Sequence, residues 1–156
     1  MSENIEQQLS REGYYVSTTV GFSMYPMLRN RRDRVIIFPL AEGERLKKYD
    51  LPLYHRPDGK YILHRVIGVR DGYYLIRGDN TYVIEKVPDS WILGKVTEFY
   101  RGERHVLSTS RGYAIYIRFW RLIYPLRFVF VKIKHFVDDT LIKVRYRLAR
   151  LFKKDR

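Results

Sequence analysis

The chain contains no cysteine among its 156 residues. Disulfides, thiolate metal sites and a cysteine nucleophile are therefore excluded. It also lacks an apolar run of the ~20 residues that a membrane-spanning helix needs, because five Lys or Arg residues interrupt its most apolar stretch, 113–137. The first twenty residues carry acidic side chains and have no apolar segment typical of a secretory signal. We therefore expect a cytoplasmic protein with neither a signal peptide nor a spanning helix.

Acidic residues are scarce in one part of the chain only. Residues 111–156 hold 13 basic and 3 acidic side chains, whereas residues 1–110 hold 17 basic and 14 acidic ones. The first part has the charge balance of an ordinary globular domain, and the second is a strongly cationic extension. The composition predicts three segments, which are a polar lead-in at 1–12, a folded domain at 13–110 and the extension at 111–156.

The folded domain has the pattern of a β protein. Short β-branched and aromatic runs alternate with turn residues such as Pro57-Asp58-Gly59 and Asp71-Gly72. Pro52 cannot donate to a ladder, so it favours a strand start or an edge. The predicted strands cover residues 33–38, 51–55, 61–69, 73–77, 91–100 and 104–108.

The extension changes to a helical period. At 100° per residue, one side of the helix collects apolar residues and the other collects most of the cations. Asp138 to Thr140 predicts an N-terminal cap for this helix, and residues 113–136 predict a preceding helical piece with a break near Pro125. The predicted apolar side comprises Leu141, Ile142, Val144, Leu148, Ala149, Leu151 and Phe152.

A basic amphipathic helix with many aromatic residues suits an anionic membrane surface, because its apolar side enters the interface while its cations meet lipid phosphates. We therefore expect residues 111–156 to associate peripherally with a membrane. Two alternatives are packing on the β domain or on a second copy in a homo-oligomer, and binding of nucleic acid, which is the less favoured of the two.

The first candidate for chemistry is Ser23, which lies between Gly21 and Pro26 with Met24 beside it. A serine on such a constrained turn can have main-chain N–H groups converging on it. A serine hydroxyl needs these donors, together with a base, to act as a nucleophile. The plain alternative is an ordinary serine in a turn.

Two further residues could complete a catalytic set. His64 is central in the predicted strand 61–69, and a neutral imidazole fixed there is a suitable general base. Asp79 follows the next strand and could orient that base. The alternatives are a half-buried core histidine and a turn aspartate. The four histidines have no metal-ligand spacing and no nucleotide-binding fingerprint occurs, so we expect neither metal nor cofactor.

Together these motifs resemble the S24/S26 serine peptidase superfamily, the group of signal peptidase I and the self-cleaving SOS repressors. The matching segments are Gly21-x-Ser23-Met24-x-Pro26, Leu63 to Gly68 and Arg77 to Asn80, within residues 16–96. The resemblance implies the β fold of that superfamily, with the basic helical extension added to it.

The resemblance also implies a serine endopeptidase. Ser23 falls on the nucleophile, and His64 falls on the base position, as in the endoplasmic-reticulum and archaeal type of signal peptidase. Asp79 matches the acidic residue, with Glu85 as the alternative acid. Because Gly21 stands where many signal peptidases have a serine, the oxyanion would depend on main-chain amides. Small residues beside the cleaved bond are implied as well. The alternative is a catalytically inactive, membrane-associated binding or scaffold module, or a basic nucleic-acid-associated protein.

Overall fold

A computed structural model describes residues 5–154; for residues 131, 134, 135, 139, 143 and 146–154 it describes the backbone alone. Its helices are α1 (Ile5–Glu12) and α2 (Arg111–Lys154), with a short 3-10 turn at Asp89–Trp91. Over the same range the strands are β1 (Tyr15–Thr18), β2 (Arg34–Phe38), β3 (Pro52–His55), β4 (Tyr61–Leu63), β5 (Arg65–Arg70), β6 (Tyr73–Arg77), β7 (Glu85–Pro88), β8 (Ile92–Arg101) and β9 (Arg104–Leu107).

The predicted class, mainly β with a C-terminal helix, is confirmed. One antiparallel sheet has the order β1-β2-β8-β3-β4, with β9 added to β8, and a second has the order β5-β6-β7. The long strand β8 organises the larger sheet because it pairs with β2, β3 and β9. The sheets form a curled half-barrel, and Pro52 is the first residue of β3, where its missing N–H is tolerated.

Two apolar clusters hold these layers together. The first joins the larger sheet to α1 and to the start of α2, and it includes Leu9, Phe99 and Tyr113. The second joins β3 to the smaller sheet and includes Tyr54 and Val66. Burying each such aliphatic or aromatic side chain stabilises the fold by about 1.5–3 kcal/mol. Because the adjacent β3 residues Leu53 and Tyr54 belong to different clusters, the two clusters lie on opposite faces of this strand.

The single strand predicted at 61–69 is in fact two strands, so that prediction was wrong. β4 pairs with β3 in the larger sheet, whereas β5 pairs with β6 in the smaller one. His64 is the residue between them, where the chain passes from one sheet to the other. Leu63 packs against the first apolar cluster and Val66 belongs to the second. The alternating sequence pattern continues across this change of sheet and therefore does not reveal it.

The break predicted near Pro125 is absent, because α2 continues through this residue. Proline removes one main-chain donor from a helix and usually kinks or ends it. Here α2 is held to the β domain on both sides of the proline, by Tyr124 under the Arg77 guanidinium and by a hydrogen bond from Arg127. Tertiary packing thus supplies the stability that local propensity lacks.

The helix start predicted at Asp138–Thr140 is also absent. The Thr140 hydroxyl donates to the Phe136 carbonyl at 2.7 Å inside the continuous helix, instead of capping a new one. Of the predicted apolar side, Leu141, Ile142 and Val144 are exposed. Leu148, Ala149, Leu151 and Phe152 lie outside the residues whose side chains are described.

The beginning of α2 has two different faces. Tyr113, Tyr116 and Ile117 pack into the first apolar cluster, so the extension starts as part of the fold. On the opposite side, apolar side chains recur three or four residues apart and are exposed. We call this set the free stripe, and it comprises Ile115, Phe119, Leu122, Leu126, Val129, Phe130, Ile133, Phe136 and Val137. Within the described range, neither helix combines the length and the apolar character needed to cross a bilayer.

Candidate active site

Ser23 lies in the loop that joins β1 to β2 and is half-buried. Two residues before it, Gly21 has a φ of 95°, a left-handed conformation that favours glycine, and its N–H donates to Asn30 Oδ1 at 2.9 Å. After it, Met24 is buried in the core and Pro26 is half-buried. The loop is therefore anchored on both sides of the serine.

His64 is buried, with 9% of its surface exposed, at the change of sheet between β4 and β5. Its Nδ1 faces polar groups, since it lies 3.4 Å from Glu85 Oε1 and 3.5 Å from the Tyr54 hydroxyl. Burial lowers the pKa of the His64 imidazole below its ordinary value, and the negative charge of Glu85 only partly opposes this. The ring is therefore neutral at pH 7 and able to accept a proton.

Gly78 lies close to both the Ser23 carbonyl and the His64 ring. A Cβ atom added at this glycine would lie 2.7 Å from the Ser23 carbonyl oxygen and 3.1 Å from His64 Nε2. The first distance is shorter than real side chains allow, so only glycine permits this approach. The N–H of Asn80 also donates to the Ser23 carbonyl at 2.7 Å. The structure thus brings the serine loop, the imidazole and residues 78–80 together.

Glu85, the first residue of β7, is the carboxylate next to the imidazole. One of its oxygens faces His64 Nδ1, while the other accepts hydrogen bonds from the Arg56 guanidinium, including one from Nε at 2.9 Å. This ion pair fixes the carboxylate in place. The sequence pattern did not predict a strand at 85–88. It therefore did not indicate that Glu85 lies beside the imidazole.

Asp79, the acid first proposed for the imidazole, has a different partner. The Arg65 guanidinium binds both of its oxygens, from Nε and from Nη2, each at 2.7 Å. Both residues are buried, with 6% and 4% of their surfaces exposed. His64 and Arg65 are adjacent at the start of β5, where neighbouring side chains point to opposite sides. Gly78 borders His64, and Asp79 binds Arg65.

The sequence analysis did not assign a role to Arg65, although it adjoins His64 in the matching motif. Burial disfavours its charge, but the Asp79 carboxylate outweighs this and raises the pKa of the Arg65 guanidinium. Its Nη1 donates to the Tyr113 hydroxyl at 2.9 Å and to the Tyr49 carbonyl at 3.1 Å. Arg65 therefore connects β5, the loop after β6 and α2 within one buried network.

A cavity of about 250 Å³ is lined by both Ser23 and His64. Its walls include Tyr15 of β1 and Tyr61 of β4, the two terminal strands of the larger sheet, and apolar residues such as Ile37 form much of the remaining surface. The curl of the sheet thus brings its two edges to one cleft. An extended peptide in this cleft could pair with either strand edge while its side chains contact apolar surface.

Asn80 links this cleft to α2. Its Nδ2 donates to the Phe22 carbonyl at 3.1 Å, and its Oδ1 accepts a hydrogen bond from Arg127 Nη2, also at 3.1 Å. The residue before Ser23 and the middle of the helix are therefore joined through one side chain. Nothing in the sequence pattern indicated that a residue of the extension would reach the loop after β6.

The other described histidines have partners outside the cleft. His55 Nδ1 lies 3.1 Å from Glu6, and His105 Nε2 lies 2.6 Å from Glu98. No cluster of three or more His, Asp or Glu side chains suitable for a metal ion occurs in the described residues.

In comparisons with known proteins, no family model and no curated protein matches the chain. The resemblance to the S24/S26 peptidases stays a prediction based on the three motifs.

Removing Arg65 should destabilise the fold strongly, since it leaves Asp79 buried without a counter-charge. We expect Arg65→Met to lower the free energy of unfolding by about 3–5 kcal/mol, measured by urea denaturation followed by circular dichroism. Lys60→Met is the control, because the Lys60–Asp58 ion pair is exposed, and it should leave the stability nearly unchanged. Equal, small losses in the two variants would contradict the role given to the buried pair.

Proposed function

We propose that the protein is a serine endopeptidase with the signal-peptidase-like S24/S26 fold. The observation that supports this most is that Ser23 and His64, 41 positions apart in the chain, line one cleft, with the Ser23 carbonyl and the His64 ring both against Gly78. A neutral imidazole with a carboxylate on its Nδ1 side is the arrangement that a serine nucleophile needs. In this proposal Glu85, rather than Asp79, is the orienting acid.

The proposed reaction has two stages. His64 Nε2 takes the proton of the Ser23 hydroxyl while Oγ attacks the scissile carbonyl carbon, and main-chain N–H groups, including that of Ser23, bind the oxyanion. The C–N bond then breaks, and the imidazolium returns its proton to the leaving amine. Water, deprotonated by His64, hydrolyses the resulting ester and restores the serine. Glu85 stabilises the imidazolium that forms in each stage.

The proposed substrate is an extended peptide segment of a protein or a leader peptide. The edges of β1 and β4 both line the cleft, so a peptide there gains main-chain hydrogen bonds without any sequence requirement. Small residues next to the cleaved bond follow from the resemblance alone.

Peptide cleavage should depend on both members of the proposed pair. We expect Ser23→Ala and His64→Ala each to lower kcat/KM at least a thousandfold on quenched-fluorescent peptides that carry small residues around the central bond, because the nucleophile or its base is lost. Mass spectrometry identifies the cleaved bond. Ser17→Ala, a change in the same cleft, should retain activity. Cleavage that survives in both variants would contradict the mechanism. A folded wild-type protein that cleaves no peptide but binds some of them would favour the inactive binding module.

The decrease of kcat/KM at acid pH should follow the protonation of His64. Since burial lowers the pKa of its imidazole, the midpoint of the fall in kcat/KM should lie below pH 6.5. Glu85→Gln removes a negative charge that favours the imidazolium, so the same fall should move to lower pH, and kcat at pH 7 should decrease. Glu98→Gln, which removes a carboxylate facing the surface residue His105, is the control and should shift nothing. An unchanged or upward shift in Glu85→Gln would contradict the assigned acid.

We further propose that the enzyme works at an anionic membrane surface to which α2 binds. The free stripe faces away from the β domain, and Arg121 and Lys132 are exposed beside it. Its apolar residues would enter the interface while these cations meet lipid phosphates. A second copy would also cover the stripe, but its flanking cations would then face like charges. Nucleic acid would leave the apolar residues in water.

Membrane binding should be lost when the free stripe is made polar. We expect the wild-type protein to sediment with phosphatidylglycerol vesicles and not with phosphatidylcholine vesicles. The double change Leu122→Glu with Leu126→Glu should weaken the partition at least tenfold, since two apolar contacts are lost and two negative charges are added. Leu107→Glu alters an exposed leucine on β9 and serves as the control. Vesicle binding that withstands the double change, or that Leu107→Glu abolishes equally, would contradict this proposal.

A further inference from the structure

A second cavity, of about 230 Å³, lies between α2 and the β domain and contains neither Ser23 nor His64. Basic side chains from four segments line it, namely Lys48, Arg65, Arg77 and Arg121, whereas Asp79 is its single carboxylate. Arg65 already binds both oxygens of that carboxylate. The three other cations therefore determine the charge that the cavity presents to a ligand.

None of these three cations forms an ion pair in the described part of the chain. The guanidinium of Arg77 lies 3.4 Å over the Tyr124 ring, and the ammonium of Lys48 lies 5.4 Å from the Tyr49 ring centre. Arg121 donates to the Tyr49 hydroxyl at 3.2 Å. Aromatic rings and a phenol hold these groups in position but do not neutralise them. A half-buried arginine such as Arg77, without a carboxylate partner, is costly to keep charged.

Two further features suit this cavity to a ligand. Tyr49 has a φ of 81°, a strained conformation for a residue other than glycine, and it carries the hydroxyl that positions Arg121. The indole Nε1 of Trp120, in the same wall, is buried and has no acceptor among the described residues. The site thus combines a strained backbone with a donor that lacks an acceptor.

We infer that this cavity binds a phosphate monoester. Cations from three separate segments can each contact a different oxygen of a tetrahedral, multiply charged anion, whereas a carboxylate offers two oxygens and one charge. Ile67, Ile117 and Pro125 provide an apolar side for the carbon skeleton of the ester. The ligand is either a soluble phosphate monoester or the monoester headgroup of phosphatidic acid, since both present three terminal oxygens.

The position of the cavity fits the headgroup alternative. Arg121 and Pro125 are one turn apart on the flank of α2, between the docked residues and the free stripe. A bilayer that receives the stripe would therefore bring phosphates close to this flank. The inference does not depend on peptidase activity, because it uses neither the serine nor the imidazole.

Calorimetric titration of the full chain with glycerol phosphate tests the site in its soluble form. We expect saturable binding that weakens at least tenfold in Arg121→Gln and in Arg77→Gln, since each loses a charge-assisted hydrogen bond. Arg118→Gln, on the same helix and with the same loss of charge, should stay within twofold. Arg121 is exposed, so its variant should fold even if Arg77→Gln does not.

The lipid source is tested on vesicles that contain phosphatidic acid, with the indole N–H signal of Trp120 as the NMR readout and Trp91→Phe to assign it. A shift of this signal in the wild type and in Arg118→Gln, but not in Arg121→Gln, supports a headgroup site even if glycerol phosphate alone does not bind. The inference is overturned if neither probe gives saturable binding or a Trp120 shift. It is equally overturned if Arg118→Gln weakens binding as much as Arg121→Gln.

Discussion

The buried ion pair of Arg65 and Asp79 is the interaction on which the rest of the arrangement depends. It fixes the loop after β6 against the start of β5, and through the Tyr113 hydroxyl it also fixes α2. A buried pair of this kind costs desolvation energy that only good geometry offsets. Here both carboxylate oxygens and all three guanidinium nitrogens have partners. The network therefore specifies one arrangement of three chain segments.

The candidate active site is a consequence of the same arrangement. Once Asp79 turns towards Arg65, its neighbour Gly78 lies on the opposite side, where the absence of a side chain lets His64 and the Ser23 carbonyl approach. The carboxylate for the imidazole must then come from another strand, and Glu85 of β7 provides it. Both oxygens of Asp79 are bound by Arg65, whereas one oxygen of Glu85 faces His64 Nδ1, so the structural carboxylate and the proposed catalytic acid are separate residues.

Helix α2 packs against the β domain with one face and exposes another. The face that packs on the β domain contributes to the core and contacts the serine loop through Asn80. It also forms one wall of the second cavity, which is lined by Lys48, Arg77 and Arg121. Its free stripe covers nothing in the described structure. A ligand of the stripe and a ligand of the cavity would therefore both act on the helix that contacts the proposed catalytic loop. The basic extension is therefore connected to the cleft by side-chain contacts as well as by the polypeptide chain.

The sequence by itself determined the β class, most strand positions, the helical and cationic character of the extension, and the short motifs around Ser23 and His64. These properties depend on local spacing, which a single segment carries. Tertiary structure decided the change of sheet at His64, the pairing of Asp79 with Arg65, the position of Glu85 beside His64 and the faces of α2. Such features depend on which distant segments approach each other. The alternation of apolar residues is the same whether or not these segments meet, so it does not predict them.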